Sequence, residues 1–345
     1  MKIDADFTGG NIKVISFEND VALIERDLRE TEGDWFYWAF HVSGAAGKTI
    51  TFDFQGKRHV AYYGPAVSHD LLTWRWLGEQ TDNSEFTYTF QKNEDSVFFA
   101  HHMLYHPQRF LDFTKEKQIT VGELCVTPKK RSVPYIKIGN GNVHIILTAR
   151  HHACESPGNY VLEGFLDEYL RNPIPDTQIF CVPFVDYDGV VDGDQGKRRS
   201  PHDHNRDYHK SYKPIHCTVA EIRNYIDSNK IDYGFDFHAP GSFSGINDIF
   251  HIFTQNKDEL CSAFIKTLQK KMTEHAECYK KLEIVHYNAG YLLPTFANYI
   301  NSVSSNTFAA IFEIPYFGEN DNIFSEQNAK LLGRCMCLTL KESLC

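Results

Sequence analysis

Residues 143–155, which read VHIILTARHHACE, constrain this chain more than any other stretch. An apolar run of strand length, Val143 to Ala149, ends in a turn bearing two histidines, a thiol and a carboxylate. Open α/β sheets carry their chemistry at the carboxyl ends of strands. His152 and Glu155 stand three residues apart, so one tight turn lets an imidazole and a carboxylate converge on a single cation. Both are common zinc ligands. His151 and Cys154 repeat the spacing and a thiolate would also bind zinc, but this pair has no matching partner later in the chain.

A catalytic zinc needs a third protein ligand. A second apolar run, 231–237, leads into Asp236-Phe237-His238, and a third, 307–312, is closed by Glu313. Between the first two lies a polar segment, Pro201-His202-Asp203-His204-Asn205-Arg206-Asp207. This set resembles the zinc carboxypeptidases of the carboxypeptidase A clan over roughly residues 132–340, with a His-x-x-Glu pair, an Asn-Arg pair, a distant His and a later Glu in the same order.

The resemblance implies one zinc ion per chain on His152, Glu155 and His238, with one position left for water. It implies that Glu313 moves protons and that Asn205 and Arg206 grip a substrate's terminal carboxylate, for which a planar guanidinium fork is well suited. It also calls for an arginine on the oxyanion. Register around Gly196-Lys197-Arg198-Arg199 leaves Arg198 and Arg199 as choices, with Arg199 preferred. Tyr291 is the candidate for a substrate-contacting tyrosine, with Tyr287 and Tyr299 nearby. Residues 282–312 contain no Lys or Arg, and Glu283 is the one acidic residue there, so a neutral specificity pocket is expected.

A length of 345 residues accommodates two domains. Residues 1–128 alternate short apolar runs (14–17, 35–42, 49–54, 72–76, 86–90 and 97–100) with glycine-marked turns, which predicts an all-β sandwich. Trp35, Trp38, Trp74 and Trp76 are expected in core and interdomain packing, and no catalytic role is expected of this half. Its aromatic-rich runs resemble the sandwich preceding the catalytic domain in cytosolic carboxypeptidases. Residues 129–345 alternate strands with amphipathic helices and predict a mixed α/β catalytic domain. Ser156 and Thr218 are the expected helix caps.

The net charge of −10 argues against nonspecific nucleic-acid binding. No run reaches the length needed to span a bilayer, and Met1 to Asp6 does not open a secretory signal. Nine scattered cysteines suit reduced thiols, and a cytoplasmic location is expected. The expected partner is a peptide or protein C-terminus; neither nucleic acid nor membrane is expected, and oligomeric state is not indicated. The sequence thus reads as a zinc metallocarboxypeptidase. Its rivals are a zinc amidohydrolase of the aspartoacylase or desuccinylase type and a binding protein with a vestigial metal site.

Overall fold

The structure is a computed structural model describing every residue except 81–82, 242–247, 256–258, 276–277, 287–292, 305, 320–321 and 345. Residues 2–100 build two sheets. One runs Lys2–Asp4, Ala39–Ser43, Ser96–Ala100, Ala66–Ser68, Arg75–Trp76; the other runs Lys13–Glu18, Val21–Glu25, Thr49–Asp53, Glu85–Thr89. Their inner faces share one core, in which Phe40, Val42 and Phe99 of the first meet Ile24, Phe52 and Phe86 of the second. The period-two pattern causes this, as Glu85–Thr89 shows by alternating exposed and buried residues.

Two expected strands are shorter than the apolar pattern implies. Residues 35–38 leave the ladder because the Gln195 side chain takes both main-chain groups of Tyr37, accepting from its N–H at 2.9 Å and donating to its carbonyl at 2.7 Å. The run 72–76 shrinks to Arg75–Trp76 because the Asp70 carboxylate accepts from the N–H groups of Leu72 and Thr73 at 2.8 and 2.7 Å, holding a turn.

Within the sandwich, His59 is buried with neither ring nitrogen hydrogen-bonded. Burial first, and then the Arg26 charge, push its imidazole down to about 4. On acidification the unfolded chain therefore protonates before the folded one. Stability is expected to fall by on the order of 2 kcal/mol as the pH drops from about 6.5 towards 4. Denaturant unfolding across that window, compared with His59→Leu, checks this: the variant's slope against pH should be flatter.

The larger sheet has eight strands in the order Val121–Val126, Ser132–Gly139, Thr177–Val182, Val143–Ala149, Tyr233–His238, Phe308–Glu313, Phe250–Thr254, Leu282–His286. Its centre is parallel and both margins contain antiparallel pairs. Val121–Val126 falls within the 1–128 range read as sandwich, yet it hydrogen-bonds to Ser132–Gly139 and so extends this sheet. A tight turn through Lys130 at φ 64° folds the two strands into a hairpin.

Helices cover both faces. Pro157–Arg171, Glu259–Thr273 and Glu326–Leu344 pack on one side, Cys217–Ser228 and Phe296–Val303 on the other. The first and last of the former group touch backbone to backbone. A Cβ on Gly333 would lie 1.9 Å from the Val161 carbonyl oxygen, which only glycine avoids. Cys335, Met336 and Cys337 are buried in that last helix. The expected caps are not used: Ser156 makes no capping bond, its backbone already being helical, and Thr218 lies inside a helix that starts at Cys217.

Candidate active site

Three parallel strands end side by side. Val143–Ala149, Tyr233–His238 and Phe308–Glu313 pair so that Ala149 lies opposite Phe237 and His238 opposite Glu313. Strand alternation puts Asp236 and His238 on one face. Beyond Ala149 the chain turns through Arg150 at φ 62°, which a non-glycine residue adopts when its surroundings hold it there. Its guanidinium supplies the hold, donating to the Ala153 carbonyl at 2.7 Å and to Asn159 Oδ1 at 3.2 Å. His152 and Glu155 are thereby turned towards His238.

Ligand atoms of His152, Glu155 and His238 lie within 4.8 Å of one another. His152 Nδ1 is 2.9 Å from Glu155 Oε1, and His238 Nδ1 is 2.6 Å from Oε2. Each ring turns its other nitrogen to a carboxylate: His238 Nε2 lies 2.8 Å from Asp236 Oδ2, and His152 Nε2 lies 3.6 Å from Asp203 Oδ1. Asp236 is itself held by Thr148 Oγ1 at 2.9 Å and His151 Nδ1 at 2.8 Å. Such outer carboxylates fix ring orientation and leave the inner nitrogen for a metal. The donor set fits a divalent cation.

His151 could enter a metal group with Asp236 and His238, but its Nε2 also lies 2.7 Å from the Tyr208 hydroxyl, so both ring nitrogens are occupied. Cys154 points elsewhere, its sulfur 3.8 Å from the Tyr316 hydroxyl. A separate cluster, His202, Asp207 and His216, braces the polar loop.

Charge is concentrated here. Burial would raise the Glu155 carboxyl, but His152, Lys197 and His238 together hold it well below the usual range. For Glu313 the balance is reversed: burial and then the Glu155 charge raise it, outweighing His238, Lys197 and His152. Glu313 Oε2 is buried and unpaired among the described residues. A carboxyl that faces the metal set without joining its hydrogen bonds is chemically placed to exchange a proton.

The polar loop contributes differently from its sequence reading. Asn205 sits 3.1 Å from His238 Nε2 through Nδ2 and accepts from the Phe296 N–H at 3.2 Å, so its amide ties the loop to the ligand strand and a neighbouring helix. Arg206 donates to the Asn205 carbonyl at 2.9 Å and forms no ion pair among the described residues, leaving most of its five N–H donors available. Arg199 is not brought to the metal set. Its guanidinium pairs with Asp186 and Asp194, each at 2.9 Å, because these buried carboxylates leave it no freedom to turn. The cation that does arrive is Lys197, buried and paired with Glu155. Tyr291 lies outside the described residues, as does Tyr287; Tyr299 donates to Asp227 Oδ1 at 2.6 Å.

Sequence reasoning passed over Asp203, Asp236 and Lys197. The Asp-x-His spacing on one strand was a usable signal for Asp236, since alternate residues share a face. Nothing local marks Lys197 among its basic neighbours. The N-terminal half borders the site: the Lys197 ammonium lies 5.0 Å over the Trp35 ring and 5.9 Å from that of Phe36. Trp76 meets the interdomain expectation, donating to the Phe324 carbonyl at 2.8 Å.

The fold is that of a metallo-carboxypeptidase: the enzyme of that description from Burkholderia cenocepacia superposes with a TM-score of 0.82 over 99% of this chain and 98% of its own, at 18% identity. Residues 3–102 match the family model for the cytosolic carboxypeptidase N-terminal domain. Among curated relatives, human cytosolic carboxypeptidase 2 is 24% identical across 98% of this chain, and bovine cytosolic carboxypeptidase 3 is 24% identical across 69%. The chain is therefore similar to the cytosolic carboxypeptidases, in its N-terminal region by family model and more widely by sequence. It spans 44% and 29% of the length of those two proteins. Among the described residues, no helix is long and apolar enough to cross a membrane.

Proposed function

We propose that this protein is a zinc metallocarboxypeptidase that releases the last residue of a peptide or protein tail. One observation carries the reading: His152 and His238 both turn Nδ1 towards Glu155 while a carboxylate faces the outer nitrogen of each. Two imidazoles and a carboxylate make a three-ligand set of the catalytic kind, which keeps a position open. Zinc held there supplies Lewis acidity, polarising a carbonyl and easing deprotonation of water near neutral pH.

The chain's own residues do the rest. Arg206 takes the substrate's terminal carboxylate in its free N–H fork, and Asn205 fixes the loop that carries it. Glu313 accepts the proton of the attacking water and returns it to the leaving amine. As the peptide C–N bond breaks, the new carboxylate and the free amino acid are the products. A cytoplasmic setting is supported by the relatives' names and by the free cysteines among the described residues.

The test is release of free amino acid from peptides blocked at the amino end and varied in the last residue. Arg206→Ala should raise KM by roughly 10–100-fold, as expected for loss of a charge-assisted pair worth about 1.5–3 kcal/mol. It should also erase the preference for a free over an amidated C-terminus. Zinc binding with turnover of N-acyl amino acids and none of peptides would instead select the amidohydrolase reading.

A further inference from the structure

Loop 192–199 is anchored on both sides, by its own domain through Lys129, Arg131 and Gly189 and by the N-terminal sandwich. Arg29 donates to Asp194 Oδ1 at 3.0 Å and to the Asp192 carbonyl at 2.6 Å. The Thr31 hydroxyl donates to the Lys197 carbonyl, and the Glu32 N–H donates to the Arg198 carbonyl at 3.1 Å. Gln195 grips Tyr37 at both main-chain groups. On its other side the loop presses on the histidine turn, since a Cβ on Gly196, at φ 73°, would sit 2.2 Å from the Ala153 nitrogen. The outcome is one long side chain, that of Lys197, directed to the carboxylate that joins both imidazoles.

We propose that Lys197, held over Trp35 and Phe36 of the sandwich, is the cation that polarises the scissile carbonyl and binds the oxyanion during hydrolysis. The inference rests on the carboxypeptidase reading. Arg199, assigned this part on sequence grounds, is bound to Asp186 and Asp194. Lys197 contacts Glu155, the carboxylate that joins both imidazoles, and its charge is felt by Glu313. Aromatic faces hold an ammonium by its charge without consuming an N–H in a conventional hydrogen bond. Glu155 Oε1 is shared between Lys197 and His152, so a cation held by Glu155 competes for that oxygen and frees the ammonium. In the reaction water oxygen bonds to the carbonyl carbon, the C–N bond breaks, and the proton travels through Glu313. Lys197 keeps its own protons throughout and donates a hydrogen bond to the oxygen as it gains charge. Trp35 is a positioning residue that acts through Lys197.

The experiment compares wild type, Lys197→Met, Lys197→Arg and Trp35→Leu as full-length, zinc-loaded protein. For Lys197→Met, kcat should fall roughly 10²–10³-fold, the loss typical of one oxyanion donor, with KM within threefold and zinc content unchanged. Affinity for a phosphinic peptide mimicking the tetrahedral state should weaken in step with kcat/KM, while affinity for a product-like peptide stays level. A charge-bulk role would move neither selectively. Lys197→Arg should recover part of kcat, and Trp35→Leu should lower kcat with zinc retained. A Lys197→Met enzyme with kcat within threefold of wild type overturns the assignment, as does activity that falls only in proportion to lost zinc. Should the wild type cleave no peptide while binding zinc, the carboxypeptidase reading itself fails and the lysine's role goes with it.

Discussion

Glu313→Gln is expected to lower kcat by roughly 10²–10⁴-fold, the span of a positioned general acid–base, while leaving bound zinc at the wild-type level. The two halves of that result have separate physical causes. Glu313 is outside the group of ligand atoms that converge on one point, so the amide leaves His152, Glu155 and His238 untouched. It also removes a buried carboxyl whose neighbour Glu155 repels it, so folding should not suffer. What disappears is a group able to take a proton and give it back. Turnover with the N-blocked peptides and metal analysis on the same sample decide the matter. Near-normal turnover would transfer the proton to another residue.

Removal of the metal by a strong chelator should abolish turnover, and restoring zinc should recover it. The same treatment should lower thermal stability. Without a cation, the site depends on Lys197 and two imidazoles to offset Glu155, and His238 is driven well above its ordinary range by Asp236 and Glu155 against the effect of burial. A ligand bound only by the folded state stabilises it by about 4 kcal/mol at a thousandfold excess over Kd. Melting curves of stripped and reloaded protein should therefore differ by several degrees, the difference growing with free zinc. An unchanged midpoint would mean that these residues do not hold the ion.

Part of this arrangement is visible in the residues themselves. His152, Glu155, His238 and Glu313 each follow an apolar run, and the run's length and its polar end can be recognised without knowing what lies opposite. Parallel pairing then aligns those ends, which is why local pattern reaches so far here. Lys197 and Asp203 were not legible for the opposite reason. Both belong to a loop whose path is set by contacts such as Arg29 with Asp194, 165 residues apart in sequence. Periodicity carries no information about partners at that range. Arg199 illustrates the same limit, since nothing near it in sequence reveals that Asp186 will claim its guanidinium. Val121–Val126 lies within the range read as sandwich although it pairs with the larger sheet, because a hairpin through Lys130 resembles a linker when only composition is considered.

The bonds from Arg29, Thr31, Glu32 and Tyr37 to the 192–199 segment bear on how such a protein can be divided. Cutting the chain between the sandwich and the larger sheet would strand Gln195, Asp194 and Lys197 at a raw surface, with water in place of Tyr37, Arg29 and the Trp35 ring. The eight-stranded sheet would keep its imidazoles and lose its front wall. Heritable change is constrained in the same way: a sandwich borrowed from a distant relative would have to bring its own matching stretch against residues 192–199, so the two parts are obliged to vary together.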